Sequence, residues 1–401
     1  MGNKTKLFWI GDSPAVTTGF GRVSQGVLEG LLRTGKYEIS VLGINHPIGD
    51  PHRYEGLIRI YPARTTGNLY GFNRVEEIIR KEKPDVIIIN NDLWIVKEYL
   101  SHMPEGQKVI IYSPVDALPV QEEWLRVIRE VGAQVTAYTE FGKKAIEQVY
   151  PHSIKIIGHG VDTDEFYPME DARHLLQNIP DELFIVQNVN RNQPRKRLDL
   201  FLKAMSVWLE RKSPSDRKNI AFYYHGVLND VGWNLVSLSQ RWGIDDKLYI
   251  TDQSDMTAAE GVTIQNLCKV YNCADVQVMT SMGEGFGLSP FESAACGVAQ
   301  IVPNHSACKE LWTGYAPLID VDHWDVLTGG VNTEGGVISI EHLVEILDEL
   351  YFDRIKLAEY AKTAYKYTQR EEFTWDYIAN QFDSLVVETL NSSLTSQKYE
   401  S

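Results

Sequence analysis

A chain of 401 residues exceeds what one hydrophobic core usually organises, so two domains of roughly 150 to 200 residues are expected. An apolar share of 43% with 23% charged residues excludes a disordered or fibrous chain, and no apolar run approaches the roughly 20 residues of a bilayer-spanning helix. The net charge of −15 disfavours a polyanionic partner, yet it is uneven: up to Pro168 there are 19 Lys and Arg against 21 Asp and Glu, leaving 20 against 33 for the rest.

The opening MGNKTKLFWIGD reads as a first strand, because no small-residue cleavage site follows its short apolar run. Lys6 stands where N-myristoylation would want Ser or Thr, and a cytoplasmic protein is expected. Further along, short β-branched runs alternate with helix-length amphipathic stretches: YEISVLG, DVIIIN, KVIIYS and AQVTAY in the first half, then LFIVQN, IAFYYH, KLYIT, DVQVM and AQIV. Runs this short and continuous predict strands buried on both faces of parallel sheets, hence two doubly wound α/β domains. The polar, Pro-containing VDTDEFYPMEDARHLL sets a boundary near residue 170, giving domains over 1–170 and 171–374. An amphipathic helix is predicted at about 375–392, followed by a frayed polar tail at 393–401. Cys268, Cys273, Cys296 and Cys308 lack metal-site spacing and read as buried free thiols.

Three segments carry chemistry. GDSPAVTTGFGRVSQGVL joins the first strand to a helix, and its G-F-G-R-V-S is a dinucleotide fingerprint broken at Ser24, which keeps a nicotinamide enzyme as a rival. IVQNVNRNQPRKRLDLFLKAM places Arg191, Arg195, Lys196 and Arg197 at the C-terminal end of a strand, where α/β folds bind ligands. Fixed cations there suit the charge that develops when a sugar–diphosphate bond breaks; the bland alternative is a solvated basic loop. In MTSMGEGFGLSPFESAACG a strand runs through a Gly-rich turn into a helix start near Leu288 to Pro290. Gly285 and Gly287 allow close backbone approach, and the helix N-terminus offers unpaired N–H groups to a phosphate. Glu284 and Glu292, eight positions apart, suit hydroxyls at two ends of one bound molecule.

GEGFGLSPFESAACG resembles the hallmark of the family-four retaining glycosyltransferases (glycosyltransferase group 1 type) of the GT-B fold, in which two glutamates flank seven residues. NRNQPRKRLDL is similar to the family's donor-phosphate segment, and GHGVDTDEFYP, CKVYNCADVQVMTS and FTWDYIANQF extend the likeness, densely in the second half and thinly in the first. The resemblance implies two Rossmann-like domains facing across a cleft, with the final helix crossing back to the first. It implies a retaining, metal-independent transfer of a hexose from a UDP or GDP sugar to a hydroxyl acceptor, without cofactor. Glu284 would contact the donor hexose, Glu292 the ribose, and Leu288 and Ser289 the diphosphate through their backbone. Gly285, Phe286 and Gly287 form the donor loop, Arg191 and Lys196 neutralise the diphosphate, and Gly19 and Gly21 resemble the glycine-rich loop facing the donor.

Three departures matter. Many relatives carry a histidine after the strand corresponding to KVIIYS; here YSPVDALP offers Asp116, which either caps a turn or handles the acceptor's proton. The family's Asn before Gly-Val-Asp is His159, which reads as structural, and the Gly after the donor lysine is Arg197. A nucleotide-sugar epimerase and a non-catalytic binding module remain alternatives. The acceptor stays open among glycan, lipid, protein, small molecule and modified nucleobase, as does the oligomeric state.

Overall fold

The computed structural model describes residues 4–392 except 48, 50, 51, 65, 66, 151, 178 and 255–260. The expected polar tail at 393–401 lies outside the described residues. Two compact units form, the first from residues up to 115, 119–160 and those from 372 onward, the second from 116–118 and 161–371. Residues 161–170 therefore pack with the second unit, ahead of the boundary expected near 170. Phe166 meets Tyr271 edge to face and the Met169 N–H donates to Asn272 Oδ1 at 2.7 Å.

In the first unit β1 (Thr5–Asp12), β2 (Tyr37–Ile44), β3 (Ile58–Pro62), β4 (Val86–Asn90), β5 (Val109–Ser113), β6 (Gln134–Ala137) and β7 (Lys155–Ile156) form one sheet of order β3-β2-β1-β4-β5-β6-β7. Every pairing is parallel. Leu7 to Ile10, Val86 to Ile89 and Val109 to Tyr112 are buried, as continuous apolar runs covered by helices on both faces require. The second unit repeats the plan with β8 (Phe184–Val189), β9 (Ile220–His225), β10 (Leu248–Ile250), β11 (Val276–Val278), β12 (Ala299–Pro303) and β13 (Leu318–Ile319). Their order is β10-β9-β8-β11-β12-β13, again parallel. Both are doubly wound Rossmann-like sheets with a strand-order reversal at β1/β4 and at β8/β11, the points where such sheets bind ligands.

Five strands escape the sequence pattern. β3 is an edge strand with Arg59 and Tyr61 on it, β7 and β13 are two residues long, and β14 (Val321–Val326) pairs antiparallel with β15 (Glu334–Ile338) in a separate hairpin. Most of β14 faces solvent, so no buried run announces it. The four cysteines are buried and free. Among the described residues no helix is long and apolar enough to cross a membrane.

The Trp375–Asn391 helix packs within the first unit against the Gly19–Arg33 helix. Ile378, Phe382, Leu385 and Val386 are buried, each contributing roughly 1.5–3 kcal/mol relative to exposure. Its ion pairs Arg33–Asp376 and Lys155–Glu388 are about half exposed or more on both sides, a class of contact contributing about 0–1 kcal/mol. Apolar burial therefore holds the helix. At its C-terminus Lys108 Nζ donates to the Thr389 carbonyl at 3.0 Å, satisfying an end-of-helix acceptor. Gly26 and Gly30 allow the close approach: a Cβ on Gly26 would lie 2.1 Å from Trp375 Cδ2, and one on Gly30 2.4 Å from the Ala379 Cβ. Gly30→Ala is expected to destabilise by about 1–3 kcal/mol through overpacking, read as a lowered thermal midpoint. An unchanged midpoint would show that the helices do not need this contact.

Candidate active site

The second unit's strand reversal brings the segment after β8 beside the segment after β11. Past Val189 the chain runs through Asn190–Gln193 into a single 3-10 turn, Pro194–Lys196, which Arg197 ends in the left-handed region at φ 49°. A side chain there costs roughly 1–2 kcal/mol relative to glycine, and the Arg197 guanidinium is held by both Asp199 carboxylate oxygens at 3.0 Å. The Arg at the family's glycine position thus keeps the glycine-like backbone. The two segments are stitched together by main-chain groups: the Met282 N–H donates to the Arg195 carbonyl at 2.8 Å and Thr280 Oγ1 to the Lys196 carbonyl at 2.8 Å.

On this frame Glu284 is 6% exposed and meets two cations. Lys196 Nζ donates to its Oε1 at 2.5 Å, and Arg195 Nη1 lies 3.4 Å from its Oε2. Arg195 also donates to the Gly283 carbonyl and places Nη2 3.4 Å from Asp116 Oδ2. The Asp116 carboxylate accepts from the Gly285 N–H. Asp116, Arg195, Lys196 and Glu284 therefore form one charged cluster. Asp116 was expected with the first domain, but residues 116–118 group with the second unit.

Burial works against every charge in this cluster, and the pairing decides which survive. Desolvation would raise the Glu284 pKa, but Lys196 and Arg195 outweigh it and hold the carboxyl at about 2. Asp116 is pushed the other way, above the usual carboxylate range, by burial and by the Glu284 charge, with Arg195 only partly compensating. Two carboxylates share the cluster with different proton affinities, an arrangement that suits one to a fixed charge and the other to proton handling. His305, buried beside them at the start of the Ser306–Trp312 helix, is lowered to about 4 by desolvation and is neutral near pH 7.

The Gly-rich turn delivers the Leu288–Ala295 helix, capped by Gly287 at φ 89° and with no acidic side chain in its first turn. An open N-terminal field of this kind favours an anion. Ser289 Oγ donates to the Val189 carbonyl at 2.9 Å and accepts from Gln277 Nε2 at 3.0 Å, tying the helix start to the ends of β8 and β11. Glu292 is buried and accepts from the Tyr271 hydroxyl at 2.7 Å. Phe286 stacks on Phe291 with ring centroids 4.9 Å apart and is 4% exposed, so its ring supports the turn from within.

The other predicted residues make contacts of their own. Arg191 is paired through Nε and Nη2 with Asp230 at 3.0 and 3.1 Å. Gly19 and Gly21 belong to the first unit, at the start of the Gly19–Arg33 helix, where the Gly21 N–H donates to Thr18 Oγ1 at 3.0 Å. A Cβ on Gly21 would lie 2.5 Å from the Val16 carbonyl oxygen, whereas one on Gly19 would meet nothing within 4 Å. His159 is buried in the first unit against Tyr138, 4.3 Å between ring centroids, with its pKa lowered to about 3 by burial. Arg195, His305 and Ser306, whose Oγ accepts from the Glu284 N–H at 3.2 Å, were given no role from sequence. The two positions after Pro303-Asn304 carry no motif signal, and Arg195 was one of four cations in a run.

The Glu284 pairing has a stability consequence. Its folded pKa of about 2 lies below the ordinary 4.5, so the stabilisation is complete above about pH 4.5 and is lost as pH falls toward 2. Glu284→Gln is therefore expected to lower the thermal midpoint near neutral pH, with the gap to wild type closing below pH 4.5. A gap that persists unchanged at pH 3 would refute the ionic origin.

Residues 174–367 match the model of the family described as glycosyl transferases group 1. The chain is 29% identical over 153 residues to the D-inositol 3-phosphate glycosyltransferase of Saccharomonospora viridis, covering 37% of this chain and 33% of that one. The chain thus spans about a third of that relative's length. Among solved structures it is similar to sucrose-phosphate synthase from Thermosynechococcus elongatus, with a TM-score of 0.75 and 16% identity over 98% of this chain and 100% of that one. It is also similar to Anabaena Alr3699/HepE in complex with UDP and glucose, with a TM-score of 0.68 and 15% identity over 96% of this chain and 100% of that one. Residues 174–367 are thus similar to the glycosyl transferases group 1, and the chain shares the GT-B fold of these solved structures.

Proposed function

We propose that this chain is a retaining, metal-independent glycosyltransferase that moves a hexose from a UDP or GDP sugar to a hydroxyl acceptor. The observation that carries the reading is the Lys196–Glu284 pair, 2.5 Å apart in one partly buried cluster beside the loop that leads into the Leu288–Ala295 helix. A nucleotide-diphosphate sugar presents matching chemistry, with phosphate oxygens for a cation and a helix N-terminus and ring hydroxyls for a carboxylate. UDP with glucose, and UDP-glucose, occupy the similar Anabaena protein, which supports a UDP-hexose as the first donor to test.

In the proposed reaction the acceptor oxygen bonds to the anomeric carbon on the face from which the diphosphate leaves, and a phosphate oxygen takes the acceptor's proton. The products are a glycoside and a nucleoside diphosphate. Lys196, with Arg191, neutralises the charge developing on the diphosphate, which makes them more valuable in the transition state than in the ground state. Glu284 holds the hexose, Glu292 the ribose, and the backbone at Leu288 and Ser289 the phosphates, with Gly285 and Gly287 giving the approach. Asp116 orients the acceptor hydroxyl.

The test profiles UDP and GDP sugars by thermal shift, then screens polyol phosphates, glycans, lipids, peptides and hydroxylated nucleobases as acceptors by mass spectrometry. Anomeric retention in the product and turnover undiminished by EDTA are expected. Lys196→Ala is expected to lower turnover about a hundredfold, ~3 kcal/mol. An epimerised sugar formed from donor alone would assign the chain to the epimerases, and tight nucleotide binding without turnover to a binding module. Wild-type turnover in both Lys196→Ala and Arg191→Ala would remove the phosphate-site assignment.

A further inference from the structure

The β14–β15 hairpin is absent from the doubly wound plan, and its contacts run to the charged cluster. Leu118, two residues beyond Asp116, forms an antiparallel bridge to Glu334 at the start of β15. The Glu334 N–H donates to the Leu118 carbonyl at 2.5 Å, and the Leu118 N–H to the Glu334 carbonyl at 3.3 Å. This isolated bridge ties the 116–118 segment to the start of β15.

The next two residues of β15 are glycines, and both are pressed against the cluster's frame. A Cβ on Gly335 would lie 2.2 Å from the Met282 carbonyl oxygen, and one on Gly336 2.6 Å from His305 Cδ2. Neither position has a left-handed backbone, so close approach, not turn geometry, calls for glycine. Met282 is the residue whose N–H bonds the Arg195 carbonyl. Gly283 follows, and a Cβ there would lie 2.3 Å from the Asp116 carbonyl oxygen. Four backbone segments, 116–118, 195–197, 282–285 and 334–336, thus interlock around the two carboxylates.

We propose that the β14–β15 hairpin is a positioning brace for Asp116, with Gly335 as its positioning residue, setting the distance between the Asp116 carboxylate and the Arg195–Glu284 pair. This rests on the transferase reading of the site. Asp116 sits on a short segment of the second unit that is flanked on both sides in the chain by residues of the first. Its carboxylate accepts from the Gly285 N–H and lies 3.4 Å from Arg195 Nη2. The hairpin adds a backbone reference for the main chain that carries this side chain. A methyl group at 335 forces the hairpin away from Met282 and carries Leu118, and therefore Asp116, with it.

The experiment is a double-mutant cycle on the full chain with Gly335→Ala, Asp116→Asn and the pair, reading kcat, donor KM and thermal midpoint. Gly335→Ala is expected to lower kcat about tenfold or more with donor KM within about twofold, since the Ser289 and Glu292 side of the site is untouched. On the Asp116→Asn background it is expected to cost nothing further. Leu118→Pro, which removes the N–H donated to Glu334, is the second variant and is expected to give the same kcat loss should Gly335→Ala fold poorly. Wild-type kcat in either folded variant, or losses that multiply in full, overturns the brace. So does wild-type kcat in Asp116→Asn. Absence of transfer by the wild-type chain would instead overturn the function itself.

Discussion

A carboxylate taken out of water is costly unless cations come with it, and the buried Glu284 is that case. Lys196 and Arg195 reach it from a different strand's loop, 88 and 89 positions back along the chain. Neither partner could be buried alone, so the pairing requires the β8 and β11 loops to be in register. The bonds from the Met282 N–H and Thr280 Oγ1 to the Arg195 and Lys196 carbonyls provide that register and leave the Arg195 and Lys196 side chains to the carboxylate. Breaking one member of such a pair leaves an uncompensated buried charge, a larger effect than the pair's own net contribution.

The same frame separates two kinds of glycine. Gly287 holds a left-handed cap that starts the Leu288–Ala295 helix, and a side chain there would be strained whatever the space. Gly283, Gly335 and Gly336 have ordinary backbone angles and are small because other atoms lie against them, backbone at Gly283 and Gly335 and the His305 ring at Gly336. Arg197 is the converse case. It occupies the left-handed region without being glycine, and its guanidinium is bound to Asp199. The strain is tolerated where the turn places Lys196 against Glu284.

Glu284 and Asp116 divide because pairing outweighs burial at one and not at the other. Lys196 and Arg195 overcome the desolvation of Glu284, which stays ionised; at Asp116 burial and the Glu284 charge prevail over Arg195 and Lys196, and its pKa is raised. Two like groups in one pocket acquire different chemistry through position alone. The hairpin, an element outside the Rossmann plan, bridges Leu118 two residues beyond Asp116.

The sequence by itself determined the α/β class and the doubling of the plan, because strands buried on both faces must be apolar at every position, as FIVQNV and VIIIN largely are. It also exposed the Gly-rich turn before a helix and the basic run after a strand, since local backbone demands are written in adjacent residues. It did not reveal β3, β7, β13 or the hairpin, which are edge, very short or solvent-facing and need no apolar run. Only the tertiary structure decided that Arg195 and Lys196 are the cations of the run that meet Glu284, that Arg191 pairs with Asp230, and that Asp116 belongs with the second unit. Those are contacts between residues tens of positions apart, set by strand order and loop register, and neither leaves a trace in local composition.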